Sequence, residues 1–385
     1  MASETKSIDY IVTPGGKLRG TLRVPGDKSI SHRAIMLGAL ADGTTLVEGF
    51  LEGDDALATL NCFRTMGVKI DRPAAQRVVI EGVGLQGLQA PARPLDCGNS
   101  GTSMRLLSGI LSGQQFSCEL VGDASLTRRP MRRVTEPLSK MGAHIESSAA
   151  GTPPLKVMGV VGGHRLQGID YTLPVASAQV KSALLLAGLY SRGRTCITEP
   201  APTRDHTERM LRAFSYPVEV NGMRRCIEGG GRLKATTIVV PADISSAAFF
   251  MVGAAIGSES EVVLQDVGIN PTRVGVINIL RLMGGDLPVE RERIVGGEPI
   301  ADIVVRSSTL RGIRIPPDQV PLGIDEFPAL FIAAACAEGE TILTGAEELR
   351  VKESDRIQVM ADGLTTLGIN AQSTPDGIRI QGGQL

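Results

Sequence analysis

Apolar and polar residues recur along the chain in blocks that share one order. Each block opens on small polar residues and runs directly into an Ala- and Leu-rich stretch. The five stretches are Ser29 to Leu40, Asn99 to Leu107, Ser177 to Leu186, Ser245 to Val252 and Asp325 to Ala333. Each predicts a helix. A β-like run follows each one: Thr44 to Val47, Ser117 to Val121, Thr195 to Thr198, Glu261 to Leu264 and Thr341 to Leu343. A second amphipathic helix follows in most blocks. Its end is marked by Met66-Gly67, Met141-Gly142, Met283-Gly284 and Leu367-Gly368, because glycine just past the last apolar residue is a common helix stop. A strand then resumes, as at Val68 to Ile70 or Ala143 to Ile145. The unit is therefore helix, strand, helix, strand, strand.

The openings lie 70, 78, 68 and 80 residues apart. That period is too long for an ankyrin or tetratricopeptide array and suits a compact α/β subdomain repeated several times. Five openings occur. The chain ends at Leu385, shortly after a fifth closing strand, Gly377 to Ile380, and no sixth opening follows.

Composition narrows the function classes. The 385 residues allow two or three domains. A net charge of -1 gives no global field for nucleic acid or an acidic membrane. Aromatics make up 3 % and tryptophan is absent, which argues against stacking platforms for single-stranded nucleic acid. Met1 to Ile11 shows no secretory pattern. The longest apolar run, Ala247 to Gly257, is far short of the roughly 20 residues a membrane helix needs. A cytoplasmic protein is expected. The six cysteines, Cys62, Cys97, Cys118, Cys196, Cys226 and Cys336, form no CxxC pair and are expected as reduced thiols.

The chemistry concentrates at block openings. Lys28 and Arg33 flank the first turn of a helix started by Pro25 to Ser29. Free N–H groups there attract anions, and two cations add to that; a solvated, capped helix start is the plain alternative. Gly101 sits in a second helix start and permits close approach of a ligand to the backbone, or serves only packing. Arg128 and Arg129 precede Pro130, and an Arg fixed in a turn can fork onto carboxylate or phosphate. Ser177 and Gln179 offer hydroxyl and amide donors. Arg204 and His206 follow in the same block, with His206 favoured as structural. Asp325 and Glu326 start the fifth helix beside apolar Val320 to Ile324. Desolvation would raise the Asp325 pKa towards a base's range; an N-cap is the plain reading. Lys352 and Arg356 lie at i and i+4, sharing a helix face from which Glu353 points away. Gly82 to Gly87 matches a dinucleotide fingerprint, but Pro91 and Pro94 block the helix it requires.

Seven ordered stretches carry a resemblance over essentially the whole chain. They are Pro-Gly-Asp-Lys-Ser-Ile-Ser-His-Arg (25–33), Gly-Asn-Ser-Gly-Thr-Ser-Met-Arg (98–105) and Gly-Asp-Ala-Ser-Leu-Thr-Arg-Arg-Pro-Met (122–131) in the first two blocks. Ala-Ser-Ala-Gln-Val-Lys-Ser (176–182), Thr-Arg-Asp-His-Thr (203–207), Ile-Asp-Glu-Phe-Pro (324–328) and Glu-Leu-Arg-Val-Lys-Glu-Ser-Asp-Arg (348–356) follow. Together they resemble the EPSP synthases, the 3-phosphoshikimate 1-carboxyvinyltransferases of chorismate and aromatic amino acid biosynthesis. The resemblance implies an α/β, two-lobed fold of repeated βαβαββ units closing around the substrates. It places residues 21–240 in an N-terminal lobe of three units. Residues 1–20 and 241–385 form a C-terminal lobe with two of an expected three.

By the same resemblance, Lys28, Ser29, Arg33, Ser177, Gln179, Arg204, Asp325 and Lys352 contact shikimate 3-phosphate. Lys28, Gly101, Arg129, Gln179 and Arg356 contact phosphoenolpyruvate, and Lys352 bridges the two. Asp325 is the implied base for the attacking hydroxyl, Glu353 the second acid/base carboxylate, and Lys28 a third catalytic residue. The hydroxyl adds to the enolpyruvyl double bond and phosphate is lost, without metal or organic cofactor, in a monomer. The family's sixth unit, with an Asp-His-Arg opening whose Arg binds phosphoenolpyruvate and a later Lys that does likewise, is not found here, so impaired turnover is expected. Two other readings are the UDP-N-acetylglucosamine enolpyruvyltransferase, whose cysteine has no counterpart in Asp123 to Arg129, and a non-catalytic binder of phosphorylated metabolites.

Overall fold

The computed structural model describes residues 10–13, 15–160 and 164–383. Met1 to Asp9, where the leader pattern was sought, and the last two residues lie outside that range. Five units follow one another, each with two helices. They are α1 (Lys28–Leu40) and α2 (Asp54–Thr65), α3 (Gly101–Ser112) and α4 (Arg132–Lys140), α5 (Ala178–Gly188) and α6 (His206–Ala213), α7 (Ile244–Ile256) and α8 (Gly275–Leu282), α9 (Phe327–Cys336) and α10 (Arg356–Thr366). A strand joins the two helices of each unit and a hairpin closes it.

Each unit has its own small sheet. The closing strand lies in the middle, antiparallel to the inter-helix strand on one side and to its hairpin partner on the other. In four sheets a further strand runs parallel to the inter-helix strand. Leu95–Asp96 serves the second unit and Asp170–Thr172 the third. A parallel pair requires a crossover, and in these two units α3 and α5 supply it. The first and fourth units borrow this strand from far away. Leu233–Lys234 and Thr237–Val239 pair with Ala41–Glu48, and Arg19–Leu22 pairs with Glu261–Gly268. The chain thus passes twice between halves, after Leu22 and after Val239.

Local signals start and stop the helices. Side chains of Asp27, Ser100, Ser177 and Asp243 accept backbone N–H bonds at the starts of α1, α3, α5 and α7, as N-caps do. Gly67, Gly142, Gly284 and Gly368 take positive φ after the second helices, a conformation that glycine adopts without a Cβ penalty. The buried apolar side chains form two clusters, one from Ile30 to Val240 and the other from Val24 plus Ala242 to Ile380. Helices α1 and α3 are buried almost all round, which fits their mixed apolar and small composition. Helix α7 leaves Phe249 and Phe250 exposed.

One expectation fails here. Cys196 and Cys226 are joined as a disulfide, so only Cys62, Cys97, Cys118 and Cys336 are free thiols. The two residues face each other across the antiparallel pair Arg194–Thr198 and Arg224–Glu228, with Cα atoms 4.2 Å apart. Only strand register brings them together, and spacing in sequence does not reveal it. The segment from Gly82 carries no helix, as its prolines predict. Among the described residues no helix is long and apolar enough to cross a membrane.

Candidate active site

The N-terminal ends of α3 and α5 and the segments before α4, α6, α9 and α10 bring their polar side chains into one region between the halves. Asp325 is its centre. One carboxylate oxygen meets Arg204, and the other lies 3.2 Å from Arg356 and 3.5 Å from Lys352. Arg204 comes from the first half and the other two cations from the second. Glu353 lies beside them, 2.7 Å from Arg356 and 3.4 Å from Arg129. Arg129 in turn bonds Asn99 and, at 3.3 Å, Ser125. The turn holding Arg129 is fixed by Asp123, which accepts from the Leu126 N–H at 2.7 Å and from the Asn99 amide at 2.6 Å.

Gly101 makes room for this cluster. A Cβ there would lie 2.9 Å from Arg105 Nη1 and 3.2 Å from Arg129 Nη1. Arg105 donates to Gln179 at 2.6 Å, and Gln179 donates to Thr102 at 2.9 Å. Ser177 caps α5 through the Val180 N–H at 3.3 Å. Ion pairs therefore run from Arg129 through Glu353 and Arg356 to Asp325, Lys352 and Arg204, and a separate set of hydrogen bonds joins Arg105, Gln179 and Thr102 on the other side of Gly101.

Three sequence-based expectations are corrected. Burial by itself would raise the Asp325 carboxyl, but Arg204, then Lys352, Arg356 and Arg273, outweigh it and hold the group well below the usual carboxylate range. Nor does Asp325 cap a helix. Glu326 occupies the position before α9, and no side chain caps that start. Lys352 and Arg356 do not share a helix: a 3-10 turn ends at Val351 and α10 begins only at Arg356, capped by Asp355. The bends between them let Lys352, Glu353 and Arg356 all point into one cluster, where a helix would have turned Glu353 away.

Lys28 and Arg33 are placed differently from the rest. The Lys28 ammonium pairs with Asp55 at the start of α2. Arg33 is buried and donates to Thr207 at 2.7 Å, to the Ser29 carbonyl at 2.9 Å and to Ser182 at 2.8 Å. Burial is the main reason its pKa falls to about 10, still protonated at neutral pH. Two of its five N–H groups thus tie α1 to α5 and α6, and a third bonds within α1. His206 is structural, 2.8 Å from Glu298 of the second half.

Arg105 and Asn99 were missed as site residues, although both stand inside a quoted stretch; nothing in one sequence separates them from packing residues. His32 was also missed. Its Nδ1 lies 2.7 Å from Thr59 Oγ1, which lies 2.6 Å from Ser103 Oγ, and Ser103 bonds the capping Ser100 at 2.7 Å. This buried chain steadies the start of α3.

With this geometry in hand, comparison with known proteins is decisive. The sequence profile of the family described as EPSP synthase (3-phosphoshikimate 1-carboxyvinyltransferase) matches residues 12–385. The chain belongs to the EPSP synthase family. Its members are transferases. A 3-phosphoshikimate 1-carboxyvinyltransferase of Alkalilimnicola ehrlichii is 69 % identical over 375 residues, covering 97 % of this chain and 83 % of that protein. Another, of Methylococcus capsulatus, is 67 % identical over 99 % of this chain and 86 % of its own length. A solved EPSP synthase structure from Acinetobacter baumannii superposes with a TM-score of 0.87 at 63 % identity, over 97 % of this chain and 84 % of that one. The two-lobed fold of EPSP synthases is the fold of this chain.

Proposed function

We propose that the chain transfers the carboxyvinyl group of phosphoenolpyruvate to the 5-hydroxyl of shikimate 3-phosphate and releases phosphate. The observation that carries this reading is Asp325 set among Arg204, Lys352 and Arg356, with Glu353 between Arg356 and Arg129. Two carboxylates among clustered cations suit two acidic, phosphorylated substrates joined by proton transfers. Lys28, Ser29, Arg33, Ser177, Gln179, Arg204, Asp325 and Lys352 take shikimate 3-phosphate. Lys28, Gly101, Arg129, Gln179 and Arg356 take phosphoenolpyruvate. In the first step the hydroxyl oxygen bonds to C2 of phosphoenolpyruvate while C3 gains a proton. In the second, the C2–phosphate bond breaks and C3 returns a proton.

Asp325 accepts the hydroxyl proton and Glu353 serves the methylene carbon, with Lys28 assisting. The low proton affinity of Asp325 without substrate follows from its cations. Substrate phosphate and carboxylate groups would draw on those same cations and raise that affinity towards what a base needs. Positioning and charge stabilisation then supply most of the rate.

The division into a first lobe of residues 21–240 and a second of 1–20 plus 241–385 is part of this proposal, as are a cytoplasmic location and a monomeric state. Neither a UDP-sugar transferase nor a non-catalytic binder finds support in the family membership. Phosphate release is the test. The purified chain should release phosphate only when both substrates are present, with stoichiometric formation of the enolpyruvyl ether. Absence of that release in folded protein would overturn the reading.

A further inference from the structure

Arg273 lies in the loop between the strand Glu261–Gly268 and α8, outside every motif discussed above. It is only 4 % exposed. Its Nη1 bonds the Asp27 carboxylate, and its Nη2 lies 2.6 Å from Ser245 Oγ, 3.4 Å from Glu326 Oε1 and 3.4 Å from Asp243 Oδ1. Asp27 immediately precedes Lys28, and Glu326 immediately follows Asp325. One guanidinium therefore grips the neighbour of a candidate substrate ligand in the first half and the neighbour of the candidate base in the second.

Each of these partners is committed on its other side. Asp27 uses its second oxygen to cap α1 through the Ile30 N–H at 2.8 Å. Ser245, in the first turn of α7, donates to Glu326. The two segments that pass between the halves also meet here, through Asp27 N–H to the Pro241 carbonyl at 2.8 Å and Asp243 N–H to the Pro25 carbonyl at 2.9 Å. Three carboxylates converge on one cation in a site with almost no solvent. Without Arg273 they would repel one another at the junction of the halves.

We propose that Arg273 is a positioning residue for the transfer reaction: its fork fixes the start of α1 and the approach to α9 relative to each other, so that Asp325 meets the hydroxyl of a substrate held beside α1. The proposal rests on the function given above. A planar fork is required because two carboxylates on different halves must be held at once. Lysine offers a single point charge, which can sit against one of them but not fix both.

The test compares wild type, Arg273→Lys and Asp27→Asn. The lysine variant keeps the charge. The asparagine variant keeps a capping side chain, since Asn and Asp rank together at N-caps. For both, kcat should fall by roughly 10- to 100-fold, as a displacement near 1 Å at a reacting pair can do. The KM and binary affinity for shikimate 3-phosphate should change by less than about threefold, because most of its proposed ligands stay in the first half. Thermal unfolding should show both variants folded at assay temperature. Wild-type kcat in Arg273→Lys would overturn the proposal. So would a fall in kcat matched by an equal loss of shikimate 3-phosphate affinity, or one that tracks only the unfolded fraction. A wild-type chain that releases no phosphate would instead defeat the functional reading and this proposal together.

Discussion

Replacing Asp325 by Asn keeps the shape of the side chain and removes its charge from the middle of three cations. If Asp325 is the base, the amide cannot take the hydroxyl proton, and turnover should fall by about 10²–10⁴. Shikimate 3-phosphate affinity, measured by calorimetry, should fall far less than rate. Near-native turnover would transfer the role to Glu353. His32 permits a different test at the same scale. Burial first, then Lys28 and Arg33, push its pKa from 6.5 down to about 3. Between those values the unfolded chain binds a proton that the folded chain refuses, so folding stability must fall as pH falls. The ordinary value near 6.5 sets the top of that window and the folded value its bottom. Urea unfolding at pH 7 and pH 4 should show wild type losing on the order of a few kcal/mol more than His32→Asn, which cannot titrate. Equal losses would mean that His32 is protonated in the fold. The charged residues of the site were legible as types and positions, because they crowd the starts of both helices of a block. Their partners were not. Arg33 reads as a surface cation until Ser182 and Thr207, about 150 or more residues away in sequence, close over it.

Helix boundaries decide where several of these groups point. The repeated order of helix, strand, helix, strand, strand was readable from apolar runs and glycine stops, since each signal is local. The break between Val351 and Arg356 was not, because Lys352 and Arg356 keep helical spacing and no proline or glycine interrupts them. Tertiary ion pairs to Asp325 win there over local pattern. The start of α3 shows how an element end shapes binding. Alanine at Gly101 suits a helix better by roughly 0.5–1 kcal/mol. Its Cβ, however, would crowd Arg105 and Arg129, which are flexible at their ends and would swing aside. Gly101→Ala should therefore leave the unfolding midpoint unchanged or slightly raised while KM for phosphoenolpyruvate rises several-fold more than KM for shikimate 3-phosphate. A parallel rise in both constants would remove Gly101 from the phosphoenolpyruvate half of the site.

At the scale of the whole molecule, the two halves are unequal in self-sufficiency. Every buried side chain of the first apolar cluster lies between Ile30 and Val240. All its strand partners lie between Ala41 and Val239. The second half depends on Arg19–Leu22 for an edge of its first sheet and on Val24 for its core. Such long-range borrowing was not deducible from periodicity, which locates units but not the strands they lend. It came only with the family resemblance. A fragment of residues 21–240 should then fold alone, with a cooperative urea transition and protected amides in α1, α3 and α5. It keeps Lys28, Ser29, Arg33, Ser177, Gln179 and Arg204, so it should still bind shikimate 3-phosphate, more weakly by the loss of Lys352 and Asp325. It lacks Asp325, Lys352, Glu353 and Arg356, so it should release no phosphate. Adding residues 241–385 in trans should not restore turnover, because that piece lacks the strand Arg19–Leu22 and an anchored Arg273. Non-cooperative unfolding of the fragment would show that the first half needs the second to fold. A cooperative fragment with no affinity for shikimate 3-phosphate would move that substrate's binding energy onto Asp325 and Lys352, and with it the proposed split between a binding lobe and a catalytic junction.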